Sequence, residues 1–295
     1  LLTFFCYAGF PQNVKYSRVK IQTGNSGLSH LARLGIPVDH GEIKKASYFI
    51  TDLSEAEIQT LLTNKISYEI IIDDVKAFYI NRNNTQQTAA SFKKSSSSHC
   101  TSNTPGYSVP VNFTLGSMGG FFTYAQFLAH IDTMSAKFPN LISARQPIDT
   151  FTSIEGRPIY WLKISDNPTI DENEPEVLYT AMHHAREPGA LSQLIFYMYY
   201  LLENYASDSS IVNLGNNTEM YFIPMVNPDG YIYNETTNPT GGGMWRKNRR
   251  DNGDGTFGVD LNRNYGYFWG FDNTGSSPTT NSETYRGTSA FSEPE

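Results

Sequence analysis

The sequence holds only two cysteines, Cys6 and Cys100, in 295 residues. That excludes a disulfide framework as the source of stability, and also a structural zinc site built from several thiolates. Basic tracts are missing as well. The formal charge is -7 and the pI about 5.4, which argues against nucleic acid or an anionic membrane as a partner. No apolar run reaches the ~20 residues that a membrane-spanning helix needs. Leu1 to Ala8 (LLTFFCYA) is too short to span; its apolar character and small-residue exit near Ala8 and Gly9 fit the tail of a signal peptide whose basic start is missing. Removing residues 1–11 would take Cys6 away and leave Cys100 without a partner. Such a signal implies a secreted, extracellular or periplasmic protein. The chain opens on Leu rather than Met and stops without a closing signal, so it reads as a fragment cut at both ends.

Aromatic residues are plentiful, with 19 Tyr and 18 Phe, ample for one large or two smaller cores. Residues 12–80 alternate compactly. Tyr16 to Ile21 reads as a strand, and Leu28 to Leu34 as a short helix closed by Gly35. Two strand-like runs lie within Ile36 to Ile50, split by Asp39 to Glu42. Ser54 to Thr63 reads as a helix, with Ser54 and Glu57 forming a capping box. Tyr68 to Tyr79 returns to strand. The order β-α-β-β-α-β is that of a small α+β split βαβ domain. Residues 81–120, rich in Ser, Thr and Asn, have linker composition. From residue 121 the pattern is α/β: a helix over Tyr124 to Phe138, strands at Leu141 to Ala144, Ile159 to Ile164, Val177 to Met182 and Met220 to Val226, and a helix over Ala190 to Tyr205. The expected fold class is α/β, a mixed sheet with helices on both faces, incomplete at its C-terminal end and preceded by the small α+β domain. Asn83, Asn112, Asn216 and Asn234 begin N-x-S/T triplets, which are glycan acceptors in a eukaryotic secretory host and otherwise polar loops.

The chain is organised around Glu176 to Glu187 (EVLYTAMHHARE). Val177 to Met182 suits a buried strand, and it ends abruptly in His183, His184, Arg186 and Glu187 before Pro188 and a long helix. Polar groups at the carboxyl end of a strand sit where open α/β sheets bind ligands. His184 and Glu187 have H-x-x-E spacing, which lets an imidazole and a carboxylate converge on one cation, zinc being the natural guest. A surface His and a helix-start Glu explain the same residues. His183 competes as a ligand, but its i,i+4 spacing to Glu187 needs a helix that has not yet begun, which favours His184.

Five more stretches recur in order: Glu155-Gly156-Arg157-Pro158-Ile159-Tyr160, Asn227-Pro228-Asp229-Gly230, Trp245 to Arg250 (WRKNRR), Asp260-Leu261-Asn262-Arg263-Asn264, and Ser282 to Glu293. Singly they are turns, a solvated charge run (Arg246 and Arg249 included) or a helix start. Together, from about Thr123 to Glu293, they resemble the zinc carboxypeptidases of the carboxypeptidase A type. The resemblance implies one Zn2+ per chain, with His184 and Glu187 as the first two ligands of a two-His, one-Glu set. It places the catalytic Arg246 beside the scissile carbonyl, Asn262 and Arg263 at the substrate's terminal carboxylate, and Arg186 along the substrate path. It likens residues 12–80 to an inhibitory pro-domain and residues 121–295 to a truncated catalytic domain.

The chemistry agrees with those roles. A guanidinium grips a carboxylate bidentately, a neutral amide adds a donor, and a second arginine stabilises an oxyanion as charge develops. The expected partner is a peptide or protein with a free C-terminal carboxylate, with no nucleic acid, no membrane span and a monomeric chain. The family's third ligand, capping Tyr and general-base Glu would fall beyond Glu295, so the fragment itself is expected to be inactive. The side-chain preference also lies in that missing part. Two rival readings are a zinc deacylase or amidase of a small amino-acid derivative, and a non-catalytic module on the same fold that binds C-terminal carboxylates.

Overall fold

The computed structural model describes residues 14–24, 27–86 and 108–295. The signal-like segment, Cys6, Cys100 and most of the serine-rich linker lie outside the described residues, as does the side chain of Asn83.

Two separate hydrophobic clusters organise what is described. The first gathers Val19, Ile21, Leu31, Ile36, Phe49, Leu53 and Leu61. Around it run β1 (Tyr16–Gln22), α1 (Gly27–Arg33), β2 (Glu42–Lys44), β3 (Tyr48–Ser54), α2 (Glu55–Thr63), β4 (Tyr68–Ile72) and α3 (Val75–Gln86). The strands form an antiparallel sheet in the order β2-β3-β1-β4. The expected capping box is present: Ser54 accepts from the Glu57 N–H while the Glu57 carboxylate accepts from the Ser54 N–H. Two expectations fail. Ile36 to Val38 forms no strand, and β2 begins inside the stretch read as a divider. The run expected as strand to Tyr79 stops at Ile72, because Asp74 accepts a hydrogen bond from the Ala77 N–H at 2.8 Å and caps a new helix, α3.

The second cluster is larger and includes Phe122, Phe127, Ile131, Met134, Leu162, Ile195, Met198, Tyr199 and Phe222. Its elements are α4 (Tyr124–Lys137), β5 (Gln146–Thr152), β6 (Pro158–Ile164), β7 (Glu176–Thr180), α5 (Pro188–Asn204), α6 (Ser209–Gly215), β8 (Glu219–Ile223) and α7 (Pro228–Thr237). The sheet order is β5-β6-β8-β7, antiparallel except for the parallel β7–β8 pair. This is the mixed α/β sheet expected from the sequence. Leu141 to Ala144 contributes only an isolated bridge, Ile142 to Ile164. Met118, read as linker, is 4% exposed in this core, and the backbone N–H groups of Val111 and Asn112 donate to Glu203.

β7 departs from the buried strand expected. It lies at the edge of the four strands, with Leu178 61% exposed. Its carboxyl end is nonetheless pinned. The Ala181 N–H donates to Ile223, and the Val226 and Asn227 N–H groups donate back to Ala181 and Met182. Met182 sits at φ 59°, a left-handed backbone that a long side chain rarely adopts, and the chain turns there into the His183–Glu187 loop.

Candidate metal centre and carboxylate clamp

The loop after β7 brings the H-x-x-E pair together. His184 is 6% exposed, and its Nδ1 lies 3.0 Å from Glu187 Oε1. Its other nitrogen, Nε2, lies 3.2 Å from Oδ1 of the wholly buried Asp260. His183 points elsewhere, with Nε2 2.8 Å from the Tyr265 hydroxyl, so His184 and not His183 faces the glutamate. A carboxylate behind an imidazole fixes its tautomer and orientation, the usual second partner of a metal-binding histidine.

The donor set fits zinc. One imidazole nitrogen and one carboxylate oxygen face each other at the edge of a cleft of about 240 Å³, lined also by Asp39, His40, His183 and Asn262. Among the described residues the one trio of His, Cys, Asp or Glu whose ligand atoms all lie close together, Asp171, Glu176 and Glu219, includes neither His184 nor Glu187.

Charges around the pair are tightly matched. Burial alone would lower the His184 pKa, but the carboxylates of Asp260 and Glu187 more than offset it and raise it. Burial would likewise raise Glu187, and His184 and Arg246 instead hold it low. Arg246 is 1% exposed. It donates through Nε and Nη2 to Asp260 Oδ2 at 3.1 and 2.8 Å, and its Nη1 stands 3.9 Å from Glu187 Oε1. Asp260 therefore holds the imidazole with one oxygen and the guanidinium with the other. Burial would push its pKa up, yet Arg246 and His184 hold it well below the usual carboxylate range.

Arg263 and Asn262 belong to a 3-10 turn, Leu261–Arg263, capped by Asp260, whose Oδ1 accepts from the Asn262 N–H. Arg263 is fixed at the rear by the Gly275 carbonyl at 2.6 Å and by its neighbour's carbonyl at 2.9 Å. Its Nη2 reaches Asp39 Oδ2 at 2.9 Å, and Arg246 Nη2 reaches the same oxygen at 2.8 Å. Asp39 belongs to the connection before β2, so a carboxylate from the N-terminal unit sits between the two arginines. Its pKa is held far below the ordinary range. Burial opposes that, and the hydrogen bond to His40 with the two guanidinium groups outweighs it.

Arg186 is turned toward the N-terminal unit instead of lining the cleft. It pairs with Glu283 at 3.1 Å, stacks over Tyr16 at 5.4 Å and lies 3.4 Å from His40 Nε2. Arg249 is separate, held over the rings of Tyr233, Trp245 and Phe257 at 3.9 to 5.0 Å. The Glu155–Tyr160 and Asn227–Gly230 stretches meet at the buried Asp229, which accepts from the Ser153 hydroxyl, the Glu155 N–H and Arg157 at 2.5 to 2.8 Å. Neither Asp39 nor Asp260 is among the site residues expected from the sequence. Asp260 had a legible signal, an acid two positions before the Asn-Arg pair, whereas Asp39 had none.

The family model described as zinc carboxypeptidase matches residues 127–295. A zinc carboxypeptidase of Saccharothrix mutabilis subsp. capreolus is 38% identical over 151 residues, 51% of this chain and 33% of its own length. Carboxypeptidase A1 of Rattus norvegicus is 30% identical over 258 residues, 87% of this chain and 53% of its own. Among solved structures, carboxypeptidase A from Helicoverpa armigera superposes with a TM-score of 0.68 at 25% identity, covering 97% of this chain and 65% of that one. The chain thus spans about a third to a half of the curated relatives' length. The match over more than half of its residues, on the segment that carries the His184–Glu187 pair and both clamp arginines, makes the chain a member of the zinc carboxypeptidase family.

Proposed function

We propose that the whole protein is a zinc-dependent metallocarboxypeptidase that removes C-terminal residues from peptides and proteins. The observation that carries this reading is the carboxylate of Asp39 held between Arg246 and Arg263 beside the His184–Glu187 pair. A site that binds one carboxylate next to a metal is what an enzyme needs to find a chain terminus and cut the adjoining bond.

His184 Nδ1 and Glu187 would hold the ion, and Asp260 keeps the imidazole oriented. Bound zinc supplies a Lewis acid and lowers the pKa of a coordinated water. Arg246, already desolvated, is placed to donate to oxygen that gains negative charge. Asn262 and Arg263 present an amide and a guanidinium to the terminal carboxylate, and Arg263 keeps its orientation through the Gly275 carbonyl. Two donors do not complete a hydrolytic zinc site, which uses three protein ligands, so the proposal concerns the whole protein and not this chain alone.

The N-terminal unit is inferred to be a pro-segment that covers the cleft. Asp39 occupies the clamp, His40 lines the cleft, and Tyr16 packs under Arg186. Secretion as a monomer and a cleaved signal over residues 1–11 complete the reading, supported by the apolar Leu1–Ala8 run. Among the described residues no helix is long and apolar enough to cross a membrane.

The test is a pair of peptides that differ only at the terminus. Full-length protein freed of residues 1–107 should cleave the free acid and largely spare the amide. Replacing Arg263 by Ala should remove roughly 2–5 kcal/mol of preference, the scale for truncating one partner of a buried charged pair. Equal cleavage of both peptides by the unaltered enzyme would make an endopeptidase or amidase the better reading.

A further inference from the structure

We propose that Asn234 is a positioning residue that sets the spacing between the metal-binding loop and Arg246. The inference rests on the proposed function for what those two segments do, but its geometry is independent of it. Asn234 lies in the middle of α7 and is 4% exposed. Its amide spans two loops distant in sequence. Nδ2 donates to the Ala185 carbonyl at 3.0 Å and to the Trp245 carbonyl at 2.8 Å, and Oδ1 accepts from the Trp245 N–H at 2.9 Å. Ala185 stands between His184 and Arg186, and Trp245 precedes Arg246. One side chain therefore ties the backbone beside a zinc ligand to the backbone beside the oxyanion arginine.

The surroundings brace that amide. The Ala185 N–H donates directly to the Arg246 carbonyl at 3.0 Å, closing a small ring around Asn234. The N-cap residue of the same helix adds a parallel brace, since Asn227 Nδ2 donates to the His183 carbonyl at 3.1 Å. A Cβ on Gly243 would stand only 2.6 Å from Asn234 Oδ1, so glycine there leaves room for the amide. Asn234 also begins one of the N-x-S/T triplets. A glycan would need Nδ2, which already makes two buried hydrogen bonds, so the native fold does not offer this triplet as an acceptor.

Asparagine is required here by its chemistry. Both carbonyls need a donor and the Trp245 N–H needs an acceptor, and only an amide of this length supplies both. Asn234→Asp keeps the volume and the acceptor but removes both donors, leaving a carboxylate against two carbonyl oxygens. In the full-length protein it should weaken zinc binding, measured by chelator competition, by about 10–100-fold, the usual effect of losing a group that orients a metal loop. It should also lower kcat by about tenfold or more while KM moves by less than about threefold, because Arg246 acts on charge that develops in the transition state. Gly243→Ala, which displaces the amide without touching it chemically, should reproduce both effects if Asn234→Asp does not fold.

Tyr231→Phe is the control. It removes a buried hydrogen bond from the same helix to the Phe122 carbonyl, away from the cleft, and should lower the melting temperature while leaving zinc affinity and kcat unchanged. Wild-type zinc affinity and kcat in Asn234→Asp or Gly243→Ala would overturn the proposal. Equal losses in Tyr231→Phe would overturn it too, since mere destabilisation would then suffice. If the unaltered protein fails to cleave free-terminus peptides, the functional reading falls, and the zinc arm still decides the role of Asn234.

Discussion

Asp39 offers the sharpest handle on how the two units work together. Replacing it by Ala removes the carboxylate that bridges Arg246 and Arg263, at 2.8 and 2.9 Å. Truncating one partner of a buried charged pair costs about 2–5 kcal/mol when the other is left alone in a dry site. Here neither arginine is orphaned. Arg246 keeps both its bonds to Asp260, and Arg263 keeps the Gly275 and Asn262 carbonyls. Asp39 is itself partly open to water, its side chain 24% exposed, which screens the pair further. The lower end of the range therefore applies, about 2 kcal/mol, or roughly 30-fold in the closed-to-open equilibrium.

The assay is the rate of cleavage of a short free-terminus peptide by full-length protein that has not been cut between the units. Asp39→Ala should raise that rate by about 30-fold over the unaltered protein, because more of the population has an empty clamp. After limited proteolysis has removed the N-terminal unit, the two proteins should be indistinguishable. The Asp39 pKa is strongly depressed, so its contribution is present above the free carboxylate value of ~3.9 and is lost only as pH falls through the docked value. The 30-fold effect should then be the same at pH 5 and pH 8. Unchanged activity in uncut Asp39→Ala would refute the masking role, and lower activity after removal of the unit would show that Asp39 does something other than mask.

Glu57 should behave in the opposite way with pH. It is buried with Oε1 unpartnered, and burial together with the nearby Glu283 raises its pKa to about 7. The part of the shift that comes from Glu283, across the contact between the units, makes the docked state favour the proton, so docking weakens as pH rises toward 7. Separation of the nicked units on a sizing column should become easier from pH 5 to pH 8, and Glu57→Gln should flatten that dependence; an unchanged profile would remove Glu57 from the account. At the proposed metal site, His184→Ala combined with Glu187→Ala should abolish stoichiometric zinc binding by the full-length protein, measured after dialysis. Retained zinc would place the ion elsewhere.

Much of the architecture was legible because local chemistry and global fold agree. The Ser54–Glu57 capping box, the amphipathic spacing from Phe127 to Met134 and the apolar run after Pro188 each specify a helix without tertiary help. The misreadings have separate causes. Val75 to Tyr79 carries strand-forming side chains, and the Asp74 cap overrides them. β5 was missed because it barely alternates, pairs with β6 only at its ends and includes Asp149 at φ 46°. The apolar content of β7 points to a buried strand, yet among the described strands it bonds to β8 alone, and its first residues face water.

The site divides along a similar line. His184 and Glu187 are three residues apart, so spacing alone proposed their meeting. Contacts that join distant segments leave no such trace. Nothing about the tripeptide Val38-Asp39-His40 marks it as an occupant of a clamp formed more than 200 positions later, and only the docked fold shows that its carboxylate satisfies Arg246 and Arg263 together. Asp260 is the intermediate case. It lies in a polar cluster that was visible, but its role comes from having two oxygens with different tasks. Oδ1 faces His184 and the Asn262 N–H, and Oδ2 faces Arg246. One buried carboxylate thereby couples the proposed metal ligand, the proposed substrate-binding turn and the proposed oxyanion donor. Replacing it would leave the buried Arg246 with Asp39 as its remaining carboxylate hydrogen-bond partner while freeing the imidazole to turn. The positions of all three are tied to the same wholly buried side chain.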